Sequence, residues 1–318
     1  MINSEIEHVN LPNMQNKDKS KFQNILSAVT YYIAILPCLF FMIYPVRFIY
    51  MLSDTLAFLL YYILRYRRKI VRDNLQSSFP EKSEQEIKTI EKQFYKHLSD
   101  VFAEYLLLFK ASTKNLDKRL EYKNLELLDE LHAKGKDVIL AMGHYGNWEL
   151  FTHIATKIAY TFNPVYKQQS NPYFNRLIYK LRSKQGAQPV EMQEAFRYVY
   201  NNKKNNTPIL LGMICDQCPK STRSFVDFLN HKDTPVFEGV ERIGKALDMA
   251  IVFGDVKKVS RGNYSIEYVL LCENPKETAS GEITELHVRY LEKMIQANPQ
   301  YWLWSHRRWK RGKEEMAT

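Results

Sequence analysis

Cysteine is scarce in this chain of 318 residues, which contains only Cys38, Cys215, Cys218 and Cys272. Cys38 lies in an apolar segment, and Cys215-Asp-Gln-Cys218 is a single C-x-x-C pair with no second pair to complete a zinc site. We therefore expect reduced cytosolic thiols and no bound metal.

The sequence also lacks the usual marks of a nucleic-acid-binding protein, which are zinc-finger spacing, an RNA-binding aromatic motif or a long basic run. It contains no internal repeat and no low-complexity linker. The net charge is nevertheless +10 and the isoelectric point about 9.2. That balance favours phospholipid headgroups or an acidic carrier protein as the anionic partner over nucleic acid. A hydrophobic content of 45% suffices for one large α/β domain or two smaller ones.

Charged residues are absent from Ile25 to Val46, a run of 22 residues. A transmembrane helix needs about 20 apolar residues, so the run predicts a single span, which Pro37 can kink. It is not typical of a secretory signal, because it is too long, no small-residue cleavage site follows and a basic segment comes next. The alternative is a buried helix of a soluble domain.

Basic residues follow this run and predict its orientation. They are Arg47, Arg65, Arg67, Arg68, Lys69 and Arg72, whereas Lys17, Lys19 and Lys21 before the run are offset by Glu5, Glu7 and Asp18. The positive-inside rule therefore places the bulk of the chain in the cytoplasm. Within the basic segment, Phe48 to Leu64 is too broken to span and is interpreted as an amphipathic helix on the membrane surface.

Strand-like and helix-like segments alternate beyond residue 73, which predicts an α/β fold with a mixed, mostly parallel sheet flanked by helices. A capping box at Ser83 and Glu86 opens a long helix through Leu106, and Asn171-Pro172 marks another helix start. The predicted strands are 137–142, Asn163–Lys167, Thr207–Cys215, Met249–Phe253 and Tyr264–Leu271. The further predicted helices are Asn124–His132, Phe237–Leu247 and Glu282–Ala297.

The segment from Asp137 to Glu149 is the most informative part of the chain. An apolar run ends in Gly143-His144, and a helix is expected to open at Asn147 and continue through Glu149. This places an imidazole at the carboxyl end of a strand and a carboxylate in the next helical turn, where open α/β sheets hold their active sites. An imidazole oriented by a carboxylate is a general base for a hydroxyl. Because the motif contains no serine or cysteine, the hydroxyl belongs to a substrate, and His144 with Glu149 predicts direct acyl transfer.

Other residues near the predicted strand ends are candidates for holding the substrate. Backbone N–H groups at the helix start, at Gly146 and Asn147, are candidate donors to an oxyanion. Asp216-Gln217 follows a buried strand and is expected at the same edge of the sheet, where it could position a substrate hydroxyl or His144. A purely structural role is the alternative for this pair.

Basic side chains form a second group of candidates. Lys167, Arg176 and Arg182 could bind phosphate or carboxylate, with arginine doing so through two hydrogen bonds. Arg307-Arg308, interleaved with Trp304 and Trp309, could form a site for an anionic headgroup. The alternatives are a solvated face for the first three residues and a structural cap for the C-terminal segment.

The ordered set of motifs resembles the lipid A biosynthesis (lauroyl/myristoyl) acyltransferase family, also called late acyltransferases, within a wider His-x4-Asp/Glu acyltransferase clan. The motifs are Asp73-Asn-Leu-Gln-Ser-Ser-Phe-Pro80, Gly143-His144-Tyr-Gly-Asn-Trp-Glu149, Val165-Tyr-Lys167, Asn171-Pro172, Asp216-Gln217 and Pro299-Gln-Tyr-Trp-Leu-Trp-Ser-His-Arg307-Arg308. The resemblance covers nearly the whole chain and implies a glycerolipid-acyltransferase-like domain over 73–318. The segments before it are a tail at 1–24, the span at 25–46 and an interfacial segment at 47–72.

The resemblance implies that His144 is the general base and Glu149 its partner. Lys167 stands where the family typically has arginine, so a point charge replaces a planar fork. The family takes the acyl chain from acyl carrier protein, occasionally from coenzyme A, and attaches it to a hydroxyl of a lipid A precursor during lipopolysaccharide biosynthesis. It needs no metal or bound cofactor. The expected location is the cell inner membrane, with one pass and the catalytic domain on the cytoplasmic face.

Two alternatives to this function stay open. The same His-Glu chemistry would serve a glycerolipid, an aminolipid or another glycolipid as the acceptor, because the base is indifferent to what carries the hydroxyl. A catalytically silent, membrane-anchored binding protein is the second alternative. The sequence leaves acyl-chain length, the acylated position and the oligomeric state undetermined.

Overall fold

The computed structural model describes residues 21–41, 44–203 and 207–316, and a seven-stranded sheet lies at its centre. The strands of this sheet are β1 (Leu120–Lys123), β2 (Val138–Met142), β3 (Thr161–Tyr166), β4 (Val190–Glu191), β5 (Ile209–Ile214), β8 (Ala250–Ser260) and β9 (Asn263–Cys272). A separate antiparallel hairpin consists of β6 (Phe225–Phe228) and β7 (His231–Pro235).

Eleven α-helices are described around this sheet. They are α1 (Lys21–Phe41), α2 (Val46–Phe58), α3 (Arg68–Ser78), α4 (Glu84–Leu107), α5 (Thr113–Asp117), α6 (Glu126–Ala133), α7 (Pro172–Ser183), α8 (Ala195–Lys203), α9 (Gly239–Leu247), α10 (Glu282–Ala297) and α11 (Lys313–Met316). A π-helical turn (Leu59–Ile63) continues α2, and short 3₁₀ helices occupy Leu150–Thr156, Pro275–Glu277 and Pro299–Tyr301.

The strand order is β1-β9-β8-β2-β5-β3-β4. β2 pairs in parallel with β5 on one side and β8 on the other, β3 pairs in parallel with β5, and β4 with β3. β9 runs antiparallel to β8, and β1 pairs in parallel with β9. The predicted α/β class with a mostly parallel sheet is therefore confirmed. The carboxyl ends of five strands meet at one edge, where such sheets bind their ligands.

Local sequence signals explain the main elements. All five residues of β2 are buried, as expected for a central parallel strand covered on both faces. α4 begins with the predicted capping box. The Glu86 backbone N–H donates to the Ser83 side chain, and the Ser83 backbone N–H donates to the Glu86 side chain. α7 begins where Asn171 accepts hydrogen bonds from two backbone N–H groups and Pro172 occupies the first turn.

The N-terminal helices differ from the prediction. α1 ends at Phe41 and Tyr44-Pro45 is not helical, so the described part of Ile25–Val46 is not one continuous helix. Among the described residues, the helix long and apolar enough to cross a membrane is Val46–Ile63. Phe48–Leu64, which we interpreted as too broken to span, lies almost entirely within this helix, whose charged residues are Arg47 and Asp54; its length and hydropathy allow a span, and the surface helix stays a prediction.

α2 lies along the protein surface and has two different faces. Side chains on its inner face donate hydrogen bonds to α4: the Tyr50 hydroxyl to Glu104 (3.1 Å) and the Ser53 hydroxyl to Asp100 (2.9 Å). On its outer face Met51 and Phe58 are 55% and 54% exposed. Only 17% of the apolar helix is buried, so a broad apolar surface is left for a lipid or another apolar partner.

Candidate active site

His144 and Asp216 come together because neighbouring strands carry them to the same height. Met142 of β2 pairs with Ile214 of β5. His144 and Asp216 each follow the last residue of their strand by two positions, so they lie side by side at the carboxyl edge of the sheet. The register of β2 and β5 therefore builds the site.

Asp216 binds the backbone and the ring of His144 at once. Its Oδ2 accepts from the His144 backbone N–H (2.7 Å), and its Oδ1 lies 2.5 Å from Nδ1 of the ring. The indole N–H of Trp302 donates to the same Oδ2 (2.7 Å). Burial alone would raise the pKa of Asp216, but the charge of His144 and the hydrogen bonds from His144 and Trp302 outweigh it and lower this pKa to about 2. The carboxylate is therefore ionised and acts as the acceptor.

The other ring nitrogen of His144 remains available for chemistry. Because Nδ1–H donates to Asp216, the tautomer leaves a lone pair on Nε2. The amide nitrogen of Gln217 lies 3.4 Å from Nε2, and the ring packs edge-on against Trp148 with centroids 5.0 Å apart. The His144 side chain is 19% exposed, against 2% for Asp216. A substrate hydroxyl can thus replace the weak Gln217 contact.

Glu149 does not have the geometry that the motif predicted. Its carboxylate forms a bidentate ion pair with Arg182 of α7, at 2.9 Å to Nε and 2.6 Å to Nη2. The indole N–H of Trp148 donates to Glu149 as well (3.2 Å). The expectation that Glu149 orients the ring of His144 is therefore wrong, because Arg182 occupies the carboxylate and Asp216 holds Nδ1. Glu149 instead fixes the turn that carries Trp148 against α7.

Of the two predicted oxyanion donors, Gly146 already has a hydrogen-bond partner, whereas the backbone N–H of Asn147 has none among the described residues. The backbone N–H of Gly146 donates to the carbonyl of Tyr301 (3.0 Å), so Gly146 is not available as an oxyanion donor. The Asn147 side chain is fully buried and donates to Glu104 (2.8 Å). Gly146 has φ +61°, a left-handed conformation that suits glycine and produces the sharp turn after His144. The backbone N–H of Asn147 is the candidate that remains, and the whole residue is 0% exposed in this conformation.

Buried polar side chains of α4 form hydrogen bonds with the turn at Gly146–Asn147. His97 Nε2 contacts the Gly146 carbonyl (3.2 Å), and Glu104 accepts from Asn147 and from the Tyr264 hydroxyl (2.8 Å each). Burial lowers the pKa of His97 to about 3, with the Lys258 ammonium adding to the effect, so the ring is neutral and Nε2–H donates. Glu104 of α4 therefore connects α2 to the turn at Gly146–Asn147.

The basic candidates lie at different depths. Lys167 is exposed one residue beyond β3, at the same edge as His144 but separated from β2 by β5. Arg176 is exposed on α7. Arg307 is exposed, whereas Arg308 is 1% exposed and donates to the carbonyl of Pro235 (2.8 Å). Arg308 therefore cannot contact a substrate in this conformation, and its prediction as a binding residue is corrected.

The C-terminal segment is a structural cap. Trp304 is fully buried and donates to the carbonyl of Pro299 (2.6 Å), so it does not belong to an exposed aromatic belt. Asn74 donates to the carbonyls of Trp304 and His306 (2.9 Å each). This cap also fixes the position of Asp216, because the indole N–H of Trp302 donates to the Asp216 carboxylate. Sequence analysis missed the role of Trp302, although its place in the C-terminal motif was a signal.

The Cys215 thiol is not arranged as a nucleophile. Burial and the neighbouring Asp216 raise the pKa of Cys215 to about 12. Cys218 is partly buried, and its backbone N–H donates to His306 (3.1 Å). Within the described ranges no group of three or more His, Cys, Asp or Glu side chains could hold a metal ion. The arrangement suits a general base that acts on a bound hydroxyl.

A family model described as bacterial lipid A biosynthesis acyltransferase matches residues 16–311. The matched region contains His144, Glu149, Asp216 and the C-terminal cap. A search among curated proteins finds no significant match.

Proposed function

The chain belongs to the bacterial lipid A biosynthesis acyltransferase family, and from this premise we propose that it transfers a fatty acyl chain from an acyl thioester to a hydroxyl of a lipid A precursor. The observation that carries the chemistry is the contact between His144 and Asp216, which leaves a basic nitrogen at the edge of the cleft. Acyl carrier protein is the proposed donor, with coenzyme A as the other source of the thioester.

The proposed reaction has one transfer step. His144 Nε2 removes the proton of the acceptor hydroxyl, and the ionised Asp216 stabilises the imidazolium that forms. The oxygen attacks the thioester carbonyl, the new ester C–O bond forms and the C–S bond breaks. The thiolate then takes the proton from His144. General-base catalysis of this kind contributes on the order of 10²–10⁴-fold in rate.

The tetrahedral oxyanion needs a donor aimed at it. The backbone N–H of Asn147 is the proposed donor, and because Asn147 is 0% exposed, substrate binding must open the turn around it. Lys167, one residue beyond β3, and Arg176, on α7, are both exposed and are proposed to bind the donor's phosphate, the lysine as a point charge and the arginine through two hydrogen bonds. Gln217 and Arg307 are proposed to contact the acceptor and the donor surface respectively.

Charge and helix exposure support the choice of partners. A net charge of +10 would steer an acidic carrier protein to the enzyme, an effect that salt should weaken. The exposed face of α2 would place the cleft at a lipid surface. We propose the cytoplasmic face of the inner membrane as the location, because the basic segment follows the apolar helices.

Reconstitution with defined substrates tests the proposal. The full chain would be incubated with a labelled acyl carrier protein thioester and a lipid A precursor, and the product identified by mass spectrometry. We expect one added acyl chain with wild type and none with His144→Ala. Transfer only to a glycerolipid or an aminolipid would replace the acceptor assignment, and transfer only from coenzyme A would replace the donor. No transfer from any thioester to any acceptor would overturn the enzyme assignment.

A further inference from the structure

A cavity of about 470 Å³ lies beside the catalytic turn, between α2, the end of α4, the segment 110–119 and the turn from β8 to β9. Cavities that bind small molecules have volumes of roughly 300–1,000 Å³. Leu150 and Glu104 both line it. Leu150 directly follows Glu149, and Glu104 binds Asn147, so the cavity wall includes residues that adjoin the turn after His144.

The remaining walls are largely apolar, with cations at the rim. Leu107, Leu108 and Leu116 line the interior, and Lys118 and Arg119 lie at its edge. Arg261, also in the lining, is neutralised by Asp54 and Asp100. By contrast, the ion pairs found among the described residues give no carboxylate partner to Lys118 or Arg119, and Arg119 makes only a long contact with the Tyr50 hydroxyl (3.4 Å).

The position of α2 indicates where the ligand comes from. Val46 and Tyr50 of α2 form one wall of the cavity, while Met51 on the other side of the same helix is exposed. A helix with an exposed apolar face next to a lipid surface brings the cavity to that surface. An apolar interior with unpaired cations at its rim matches a hydrocarbon chain that ends in an anionic group.

We propose that this cavity binds a phosphate-bearing membrane lipid, with its chain against Leu107, Leu108 and Leu116 and its phosphate at Lys118 and Arg119. This inference rests on the proposed function, because the lipid bound there is the acyl acceptor. The acceptor is preferred to the phosphate-bearing arm of the donor because α2, the exposed apolar helix, forms the wall. Lys118 and Arg119 then select for the acceptor's charge without taking part in proton transfer.

Binding of a simple probe tests the site directly. The full chain in phosphatidylcholine nanodiscs would be titrated with radiolabelled dodecyl phosphate and with dodecanol, with empty discs as the background. We expect saturable binding of the phosphate and weaker binding of the alcohol. Lys118→Ala/Arg119→Ala should weaken phosphate binding at least about tenfold. The control Lys114→Ala/Lys276→Ala removes the same charge outside the cavity and should bind like wild type.

A second variant tests the apolar interior of the cavity. Transfer kinetics then distinguish failure of this inference from failure of the proposed function. Ala111→Phe places a ring in the cavity and should weaken both probes without changing the circular dichroism spectrum. In transfer assays the Lys118/Arg119 variant should raise KM for the acceptor and leave kcat and the donor KM unchanged. His144→Ala should lose transfer but keep probe binding.

Three results would overturn the lipid site. They are equal probe binding by wild type and the Lys118/Arg119 variant, no preference for the phosphate over the alcohol, and a raised KM for the donor alone. Failure of transfer by wild type with intact probe binding would instead refute the proposed function.

Discussion

Nδ1 of His144 lies 2.5 Å from Oδ1 of Asp216, although the two residues are 72 positions apart in the chain. The register of β2 against β5 produces this contact, because each residue follows its strand by two positions from the Met142–Ile214 pair. Trp302 from the C-terminal cap completes the arrangement by donating to the same carboxylate. Three distant segments thus converge on one imidazole, and the contact favours the Nε2-basic tautomer.

Removing either member of this pair should remove most of the transfer activity. His144→Ala deletes the base. Asp216→Asn replaces the carboxylate by a neutral amide, which cannot stabilise the imidazolium and has only one oxygen to accept from both the ring and the backbone N–H of His144. We expect kcat to fall about 10²–10⁴-fold in each variant. Steady-state transfer assays would measure it, with urea unfolding to verify that the fold persists. A folded Asp216→Asn enzyme with more than about a tenth of the wild-type rate would contradict this role for Asp216.

Glu149 should act through Arg182 and not through His144. Glu149→Gln leaves a mostly buried guanidinium without its partner, so the free energy of unfolding should fall by roughly 3 kcal/mol. A double-mutant cycle with Arg182→Gln would measure this coupling, and the double variant should lose less stability than the sum of the single ones. Additive losses would show that the bidentate pair is energetically unimportant. kcat should fall less in Glu149→Gln than in Asp216→Asn, and the reverse order would restore Glu149 as the partner of His144.

The sequence was sufficient for the fold but not for the pairing inside the site. Periodicity and capping signals predicted β2, β5 and α10, the last with both ends correct. The two-residue β4 and the β6–β7 hairpin carry too little periodicity to be predicted. The choice between Asp216 and Glu149 depends on which carboxylate Arg182 neutralises. That contact joins residues 33 positions apart and has no local signal.

The membrane segment shows a similar limit. Hydropathy located the apolar N-terminus, but it did not reveal that the inner face of α2 bonds to Asp100 and Glu104. The predicted membrane orientation also has less support, because two of the cations counted for the positive-inside rule, Arg68 and Arg72, are neutralised by the buried Glu91. Tertiary pairing removes charges that a count along the sequence treats as free.

The outer face of α2 should hold the protein on membranes. We expect the chain to sediment with membranes and to resist extraction by high salt, because apolar contacts are not screened by ions. Met51→Asp/Phe58→Asp should shift a substantial fraction into the soluble phase. The control Gln93→Asp/Gln296→Asp adds the same charge at exposed positions of α4 and α10 and should remain bound. Equal sedimentation of both double variants would show that α2 does not contact the lipid.

Acid should destabilise the fold before its carboxylates are protonated. Burial lowers the pKa of His97 to about 3, and that of His287 and His306 to about 4. Between about pH 6.5 and pH 4 the unfolded chain binds protons that these folded histidines do not, so the free energy of unfolding falls as pH falls. Each histidine contributes up to about 1.4 kcal/mol per pH unit.

Urea unfolding at about pH 7 and about pH 5 measures this slope. His97→Gln keeps a neutral donor to Gly146 and should flatten the pH dependence relative to wild type. Glu104 opposes the trend, because burial raises its pKa and the folded chain therefore takes up this proton at a higher pH than the unfolded chain. Glu104→Gln should therefore steepen the loss of stability toward acid. A slope unchanged by His97→Gln would refute the assignment of a buried neutral ring.

The last prediction concerns a covalent intermediate. A two-step route through an acyl-enzyme would need Cys215 or Cys218 as the nucleophile, since they are the thiols that follow β5 next to Asp216. Burial keeps Cys215 protonated, and among the described residues no cation lowers the pKa of its thiol. We therefore expect Cys215→Ser/Cys218→Ser to retain activity and wild-type kinetics to show a ternary complex. A labelled acyl chain recovered on either cysteine, or parallel lines in double-reciprocal plots, would replace direct transfer with a two-step mechanism.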